Sequence, residues 1–187
     1  MQWLSIDNEL FLFINGHHTS FTDELMWHVS QWFNWIPLYI YFIYNLYTTN
    51  TSIQLLRKVV VVLVCIGLSD YVASGIIKHY VMRLRPTHEP TLLNQVHTVH
   101  AYVGGLYGFV SSHAANTMSM LMCAIILLKN NNWLVSLCTL YVVLTAYSRI
   151  YLGVHYPLDI VGGWCVGIVI STLVIKLAQR KQWITAQ

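Results

Sequence analysis

Long apolar runs, separated by short polar linkers, dominate the chain and set the first expectation about its fold. A helix that crosses a membrane needs about 20 consecutive, mostly apolar residues. Five stretches approach that length, at residues 22–47, 57–80, 113–129, 133–150 and 157–177. The linkers are brief except for the long one at 81–112. The pattern therefore predicts an all-α fold, a single integral membrane helical bundle over residues 1–187 with about five to six transmembrane helices.

The N-terminal segment, residues 1–21, has a different pattern. Apolar side chains such as Leu10 and Phe11 mix there with Asp7 and Glu9. The mixture predicts a short amphipathic helix that either lies at the membrane interface or packs on the bundle, since amphipathicity alone does not separate the two. The segment lacks the positively charged start of a signal peptide, so we expect the chain to keep it.

The composition agrees with a membrane protein. Hydrophobic residues make up 56% of the chain and charged residues only 9%, whereas a soluble domain has about 25% charged residues. The aromatic content of 13% excludes a disordered chain. The net charge of +3 comes without any Lys/Arg run, so no nucleic-acid partner is expected. The four cysteines lie in apolar runs without a CxxC pair, which argues against a disulfide framework or a cysteine metal site.

The Lys and Arg residues divide between the two ends of the predicted spans. If the spans alternate in direction, one group falls on the side that the positive-inside rule makes cytoplasmic: Arg57, Lys58, Lys129, Lys176, Arg180 and Lys181. The others fall at the opposite, external ends: Lys78, Arg83, Arg85 and Arg149. Either loop solvation and lipid headgroups or an anionic ligand could explain the external charges, and the neighbouring residues decide between them.

Two segments at the external end carry groups that bind anions. In the first, Lys78 and Arg85 lie seven residues apart, about two turns of helix. In the second, Ser111 and Ser112 stand directly before His113 and an apolar helix. A serine at such a position indicates an N-cap, and the free backbone N–H groups of a helix start bind anions. Together these donors are suited to a phosphate-like ligand.

A third segment adds groups that can react with phosphate. Arg149, a further phosphate ligand, is followed after five residues by His155 and after three more by Asp159. Asp159 can reach back to His155 from the start of the last helix, fix its tautomer and leave a neutral imidazole that could attack phosphorus. His113 could then protonate the leaving oxygen. This chemistry needs no metal and no other cofactor, and the sequence offers no carboxylate cluster to hold a metal.

The three segments together resemble the signature of the type 2 phosphatidic acid phosphatase superfamily, which also contains the vanadium haloperoxidases. Its first part, Lys, six residues, Arg-Pro, is matched by Lys78, Arg85 and Pro86. Its second part, Pro-Ser-Gly-His, is matched in part by Val110, Ser111, Ser112 and His113. Its third part, Ser-Arg, five residues, His, three residues, Asp, is matched by Ser148, Arg149, His155 and Asp159. The resemblance covers roughly residue 70 to the C-terminus.

The resemblance implies a membrane phosphatase that works through a phosphohistidine without a metal, with residues 57–177 as its catalytic core. His155 is then the nucleophile, Asp159 its partner and His113 the general acid. The phosphate is held by the remaining matched residues: Lys78, Arg85, Ser111, Ser112 and Arg149. Ser148 has a supporting role. The two departures, Val110 for proline and Ser112 for glycine, affect the loop geometry more than the chemistry.

Other polar residues and glycines near these segments have alternative interpretations. Arg83 lies outside the signature, and a solvated or headgroup-facing role is expected. Asp70, in mid-span, is expected to hydrogen-bond a neighbouring helix, either to support the site or for structure alone. His97 and His100 have an HxxH spacing, but a metal site would need more ligands. A mobile flap or an ordinary loop is expected at the glycines beside the second segment: Gly104, Gly105 and Gly108.

The expected function is hydrolysis of a lipid phosphate or pyrophosphate in the inner (plasma) membrane, with the site facing the periplasm or exterior. The partners are then the bilayer and a membrane lipid, while the oligomeric state stays open. Undecaprenyl pyrophosphate is the preferred substrate, and phosphatidylglycerol phosphate, phosphatidic acid and lipid A phosphates are the alternatives. A vanadate-dependent haloperoxidase is disfavoured because those relatives are soluble. A non-enzymatic carrier of anionic lipids would leave the two histidines and Asp159 unexplained.

Overall fold

The computed structural model describes residues 2–128 and 131–185, so Lys129, expected at the cytoplasmic end, lies outside the described residues. The helices in chain order are α1 (Gln2–Gly16), α2 (Ser20–Ser30), α3 (Ile36–Thr49), α4 (Ser52–Asp70), α5 (Lys78–Val81), α6 (Ser112–Leu127), α7 (Asn132–Tyr151) and α8 (Pro157–Arg180). A π-helical segment, Tyr71–Ile77, joins α4 to α5 without a break. Short 3-10 turns lie at Trp32–Trp35 and Pro86–His88. The all-α prediction is confirmed for the described part of the chain.

Three helices of the described residues are long and apolar enough to cross a membrane. They are Ser52–Val81, which contains α4, the π-helical segment and α5, then Asn132–Tyr151 and Pro157–Arg180. Helix α6 is apolar but has only 16 residues, and α3 has 14. The structure thus supports a membrane protein, while the count of five to six crossings stays a prediction.

The first predicted span, residues 22–47, is not one helix. Helix α2 ends at Ser30, Gln31 is extended, and a 3-10 turn precedes α3. The side chains of Asn34 and Trp35 donate to the carbonyls of His28 and Val29, each at 2.8 Å, and so satisfy the end of α2. Pro37 lies in the first turn of α3, where a proline is tolerated, so it helps to start a helix and does not kink one.

Helix α6 lies at the centre of the bundle, against α4, α7 and α8. Two glycines of α8, Gly163 and Gly167, face the α6 backbone so closely that any added side chain would collide with it. On the other side, Ser119 donates its hydroxyl to Ser69 of α4 at 2.8 Å. Small residues and hydroxyl pairs of this kind hold helices together in membranes, where apolar contact alone gives little preference for a neighbour.

Helix α1 packs on the bundle through one face. Phe11 is fully buried with its ring centroid 5.5 Å from that of Tyr156. Asn15, also fully buried, donates to the carbonyls of His97 and Tyr151 at 2.9 and 2.8 Å. The opposite face is apolar and exposed, with Ile6, Leu10 and Phe13. A helix of this kind, packed inward and apolar outward, agrees with a place at the membrane interface, which stays a prediction.

Candidate active site

The three segments singled out from the sequence meet at one end of the bundle. Lys78 begins α5, Ser111 is the N-cap residue of α6, and Arg149 lies in the last turn of α7. Asp159 lies in the first turn of α8. The backbone N–H of Ser111 donates to the carbonyl oxygen of Asp159 at 2.9 Å, so the second and third segments are joined directly. The Oγ of Ser111 accepts from the Ala114 N–H, which makes it the cap that the sequence predicts.

The start of α8 orients Asp159 toward His155. Pro157 occupies the first turn, where its fixed φ suits a helix. The Oδ2 of Asp159 accepts from the backbone N–H of Tyr156 at 3.0 Å, as an acid in the third position of a helix does. The same oxygen lies 3.3 Å from Nδ1 of His155. Because His155 and Asp159 are both fully buried, this pairing is protected from water.

The surroundings of His155 keep its imidazole neutral. Burial, followed by the positive charges of Arg85, Arg149 and Lys78, holds the pKa of His155 well below its usual value. An Nδ1–H donated to Asp159 leaves the lone pair on Nε2, and the Nη1 of Arg85 lies 3.3 Å from that nitrogen. A neutral imidazole with Nε2 facing a cation can attack an anion that the cation binds.

Arg85 is fixed by backbone carbonyls. Its Nε donates to Tyr107 and its Nη1 to Val154, both at 3.1 Å. Burial, and then the charge of Arg149, lowers the pKa of Arg85, although an arginine stays charged. Arg85 and Arg149 are both buried and repel each other, and Asp159 is the carboxylate that acts on the charge of Arg85, so the arrangement favours a negatively charged ligand.

Arg149 is held by two side chains that the sequence did not single out. Its Nη1 donates to the hydroxyl of Ser30 at 3.1 Å and its Nη2 to the hydroxyl of Tyr102 at 3.0 Å. Its Nε is buried and has no hydrogen-bond partner among the described residues. An unpaired N–H on a buried cation is costly, and a bound phosphate oxygen would satisfy it.

His113 and Ser112 open onto a cavity of about 490 Å³ between α3, α4 and α6. The side chain of His113 is exposed to this space, and it lies close enough to Arg149, Arg85 and Lys78 for their charges to act on it. Most of the wall is apolar, and it includes Phe42, Val62, Ile66, Thr117 and Met120. The cavity therefore joins the cationic end of the bundle to a space whose apolar walls suit a hydrocarbon chain.

Two residues with expected supporting roles differ in what they contact. Asp70 lines the cavity, and its Oδ1 accepts from the Nδ2 of Asn116 on α6 at 2.9 Å, which is the expected bond to a neighbouring helix. Ser148 instead donates to the Thr145 carbonyl within α7 at 2.7 Å. The π-helical segment lies between Asp70 and Lys78 and sets their relative orientation, a feature that α-helical spacing did not predict.

Arg83 is not the solvated or headgroup-facing cation that the sequence suggests. Its Nη1 donates to Oδ1 of Asp159 at 3.0 Å and its Nη2 to Oδ2 of Asp7 at 2.6 Å. Its guanidinium carbon also lies 3.9 Å from the ring centroid of Tyr156, a cation–π distance. A signal in the sequence is Asp7, an acid among the apolar residues of the N-terminal segment.

The glycines near the second segment allow the loop to approach the site closely. A Cβ on Gly108 would lie 2.8 Å from Oδ2 of Asp159. Gly104 has a φ of +66° and would place a Cβ 3.0 Å from Nη1 of Arg85, whereas Gly105 faces open space. Two of the three glycines are therefore required by contact with site residues.

The HxxH histidines do not converge on one another. His97 pairs with Asp23 at 2.9 Å, and His100 pairs with Glu24 at 3.1 Å. Among the described residues, one group could hold a metal ion, formed by His18, Asp23 and His97, whose ligand atoms all lie within 4.8 Å of one another. The ring of His18 stacks on that of His97, and Asp23 also accepts from Tyr151. These contacts give the three side chains a structural role, in which they link α2, α7 and the long external loop.

The fold and the site together define a class of protein, a helical membrane protein with a buried histidine–aspartate pair beside a group of buried cations. Residues 58–183 match the model of the PAP2 superfamily, and the chain belongs to that superfamily. The predicted resemblance is thus confirmed. Membership of this superfamily, together with relatives that are phosphatases of lipid phosphates or diphosphates, makes this protein a membrane lipid phosphatase.

Individual relatives share most of the chain. A lipid A 4'-phosphatase of Porphyromonas gingivalis is 32% identical over 185 residues, 98% of this chain and 78% of the relative. An undecaprenyl-diphosphatase of Sulfolobus acidocaldarius is 30% identical over 182 residues, 94% and 80%. The crystal structure of Aquifex aeolicus LpxE superimposes with a TM-score of 0.67 at 24% identity, covering 90% and 93% of the two chains. This last likeness shows a shared fold.

Proposed function

We propose that the protein removes a phosphate group from a lipid by attack of His155 Nε2 on phosphorus. The observation that carries the proposal is the position of the buried imidazole, with Asp159 Oδ2 at Nδ1 and Arg85 Nη1 at Nε2, each at 3.3 Å. A histidine held between a carboxylate and a cation is oriented to attack the anion that the cation binds. No metal takes part in the proposed reaction.

The phosphate is held by Lys78, Arg85, Arg149 and Ser111, together with the backbone N–H groups of Ser112 and His113. Its oxygens satisfy the buried, unpaired Nε of Arg149. Ser30 and Tyr102 keep the guanidinium of Arg149 in place. The pocket thereby neutralises the charge that spreads over the phosphoryl oxygens in the transition state.

The reaction has two steps. In the first, the bond from Nε2 to phosphorus forms while the bond from phosphorus to the lipid oxygen breaks, and His113 donates a proton to that oxygen. Asp159 stabilises the positive charge that His155 gains. In the second, His113 takes a proton from a water molecule, whose oxygen attacks phosphorus. The bond to Nε2 breaks, and inorganic phosphate and neutral His155 are released.

The lipid chain enters sideways from the bilayer through the cavity between α3, α4 and α6. His113 and Ser112 lie in the wall of this cavity, so a chain within it places its headgroup at the phosphate pocket. The pocket faces the exterior or periplasm. Three exposed cations lie at the opposite end of the bundle, in the last turns of α8 or just beyond it: Lys176, Arg180 and Lys181. The positive-inside rule assigns that end to the cytoplasm, which supports this orientation.

Two substrates have support from different sources. The sequence favours undecaprenyl pyrophosphate, a preference that stays unconfirmed, and a relative named undecaprenyl-diphosphatase agrees with it. The relative named lipid A 4'-phosphatase covers slightly more of this chain at slightly higher identity. We therefore place a lipid A phosphate first and undecaprenyl pyrophosphate second, ahead of phosphatidylglycerol phosphate and phosphatidic acid. The phosphatase names of the relatives leave the haloperoxidase and carrier alternatives without support.

The test is phosphate release by the purified protein in detergent with EDTA, using these four lipids side by side. We expect turnover that persists in EDTA and falls by at least about a thousandfold in His155→Gln, because the nucleophile is lost. Acid-labile phosphate on the protein should appear during turnover and be absent in the variant. Turnover that survives His155→Gln, or that EDTA abolishes, would contradict the mechanism. Preference for undecaprenyl pyrophosphate would reverse the order of substrates.

A further inference from the structure

Arg83 joins two buried carboxylates that come from distant parts of the chain. It contacts Asp159 Oδ1 at 3.0 Å and Asp7 Oδ2 at 2.6 Å, and both acids are almost completely buried. The other oxygen of Asp7 accepts from the backbone N–H of Leu158 at 2.9 Å. Leu158 precedes Asp159 in α8, so the contacts form a closed ring of Asp7, Arg83, Asp159 and the first turn of α8.

This ring fixes the rotation of the Asp159 carboxylate. Its Oδ2 is shared by the Tyr156 N–H and the imidazole of His155, and its Oδ1 is taken by Arg83. Without Arg83, the carboxylate could turn about its last bond and lose alignment with Nδ1. Arg83 is itself held from two sides, by Asp7 and by the ring of Tyr156.

Burial of the Asp7 carboxylate costs free energy of folding, and its contacts with Arg83 and α8 give a reason for that cost. A buried carboxylate loses its hydration, and an ion pair with it is often no more stable than an apolar contact of similar size. The remaining inward residues of α1 show that the helix has other anchors, since Phe11 packs on Tyr156 and Asn15 bonds two carbonyls. Docking of α1 alone therefore does not account for a buried charge at position 7.

We propose that Asp7 and Arg83 are positioning residues for the reaction, acting through Asp159 on the imidazole of His155. Helix α1 is then part of the working unit, although it lies outside residues 58–183 that match the family. The proposal rests on the proposed role of His155. It assigns α1 a function in catalysis in addition to its contact with the bundle or the membrane surface.

The kinetic test compares Asp7→Asn, Arg83→Gln and the double variant, with dioctanoyl phosphatidic acid and the four lipids above as substrates. We expect kcat to fall about tenfold or more in Arg83→Gln, as for other groups that orient a reacting residue. KM and inhibition by orthovanadate should change less than about threefold, because the phosphate ligands remain. The double variant should be no worse than Arg83→Gln alone, since both changes break one chain of contacts.

Two further variants separate positioning from simple folding. Arg83→Lys keeps the charge but lacks the fork that bridges two carboxylates, so it should recover only part of kcat. Asn15→Ala loosens the same helix without touching Arg83, so it should lower the melting temperature but leave kcat within about twofold. Equal losses of kcat in Asn15→Ala and Asp7→Asn, or additive losses in the double variant, would overturn the proposal.

A second readout does not depend on turnover. Nitrogen-15 NMR of histidine-labelled protein reports the tautomer of His155, with His155→Gln used to assign its signals. We expect the Nδ1–H form in the native protein and in Asn15→Ala, and a mixture of tautomers in Asp7→Asn and Arg83→Gln. An unchanged tautomer in both of the latter would contradict positioning. If the native protein shows no turnover on any lipid but the tautomers shift as expected, the proposed function fails while the positioning of His155 stands.

Discussion

Gly108 lies against Asp159, the proposed partner of the nucleophile, and this contact leaves no room for a side chain at position 108. A Cβ at this position would lie 2.8 Å from Asp159 Oδ2 and 3.4 Å from Cγ of Arg85. The first distance is shorter than a carbon–oxygen contact tolerates, so the carboxylate or the loop has to move. At the residue scale, the site therefore depends on the absence of a side chain as well as on charged groups.

We predict that Gly108→Ala lowers kcat by about tenfold or more, because the displaced carboxylate no longer aligns His155. Gly105→Ala is the matched control in the same loop, since nothing lies within 4 Å of its Cβ. Its kcat should stay within about twofold of the native value. Steady-state phosphate release on the preferred lipid measures both. Equal activity in Gly108→Ala and the native protein would show that the loop adapts at no cost.

The sequence predicted which residues meet at the candidate site better than it predicted the side chains that hold them. His155, Asp159 and the three cations come together as expected because each stands at a helix end with a characteristic spacing. Asp7, Ser30 and Tyr102 were missed, since their partners lie far away in the chain. Asp159 and Arg83, for example, are 76 positions apart. No local spacing reports such a contact, so Arg83 was wrongly assigned to solvent or headgroups.

At the scale of elements, the position of His113 depends on how closely α6 and α8 pack. A Cβ on Gly167 would lie 2.5 Å from the Ala115 carbonyl oxygen, and one on Gly163 would collide with the carbonyl of Ser111. The two glycines are four residues apart and face the same helix. They set the distance between the helix that carries Asp159 and the helix that presents Ser111 and His113.

We predict that Gly163→Ala lowers both the melting temperature and kcat, because it pushes the N-cap of α6 away from α8. The loss of stability should be about 1–3 kcal/mol, the usual range for overpacking. Gly67→Ala on α4 is the control, as its Cβ meets nothing within 4 Å and alanine favours a helix by up to about 1 kcal/mol. Thermal unfolding in detergent and phosphate release measure the two effects. A more stable Gly163→Ala would contradict this account of the helix contact.

The extent of the elements was predictable where the apolar run was continuous and ended in a clear cap. The bounds of α7 and α8 agree closely with the predicted spans at 133–150 and 157–177. The prediction of one span at 22–47 was wrong because three of the residues at 32–35 are aromatic and continue the apolar pattern, although the chain turns there. Hydropathy indicates whether a side chain prefers an apolar environment, and it does not indicate whether the backbone continues as a helix.

At the scale of the whole molecule, the proposed function gives the cavity a role in selecting substrates. The cavity lies between three helices, and Ser112 and His113 line the end beside the proposed phosphate site. In the proposed route, a lipid chain occupies the apolar part beside Ile66, whereas a small phosphate ester does not need that space. Lipid recognition and the proposed chemistry at His155 are then separable.

We predict that Ile66→Trp lowers kcat/KM for a long-chain lipid phosphate by about tenfold or more, because the larger ring fills the space for the chain. Dioctanoyl phosphatidic acid, with shorter chains, should be affected less. Leu68→Trp on the same helix is the control, since Leu68 is exposed and does not line the cavity. Competition between long and short lipids in mixed micelles measures the difference. Equal effects on both lipids would argue against lateral entry by the chain.

The π-helical segment at Tyr71–Ile77 accommodates one residue more than an α-helix would need between α4 and Lys78. A π-turn contains one residue more than an α-turn, so it acts as a one-residue insertion within a continuous helix. If one residue were deleted there and the segment relaxed to α geometry, the two changes would compensate and Lys78 would keep its direction relative to α4. If the segment kept all its residues and became α-helical, Lys78 would instead rotate by about 100°. A gap of one residue upstream of the first motif is therefore a sign, readable in any related sequence, that the π-turn is absent there and that the cation still faces the same way.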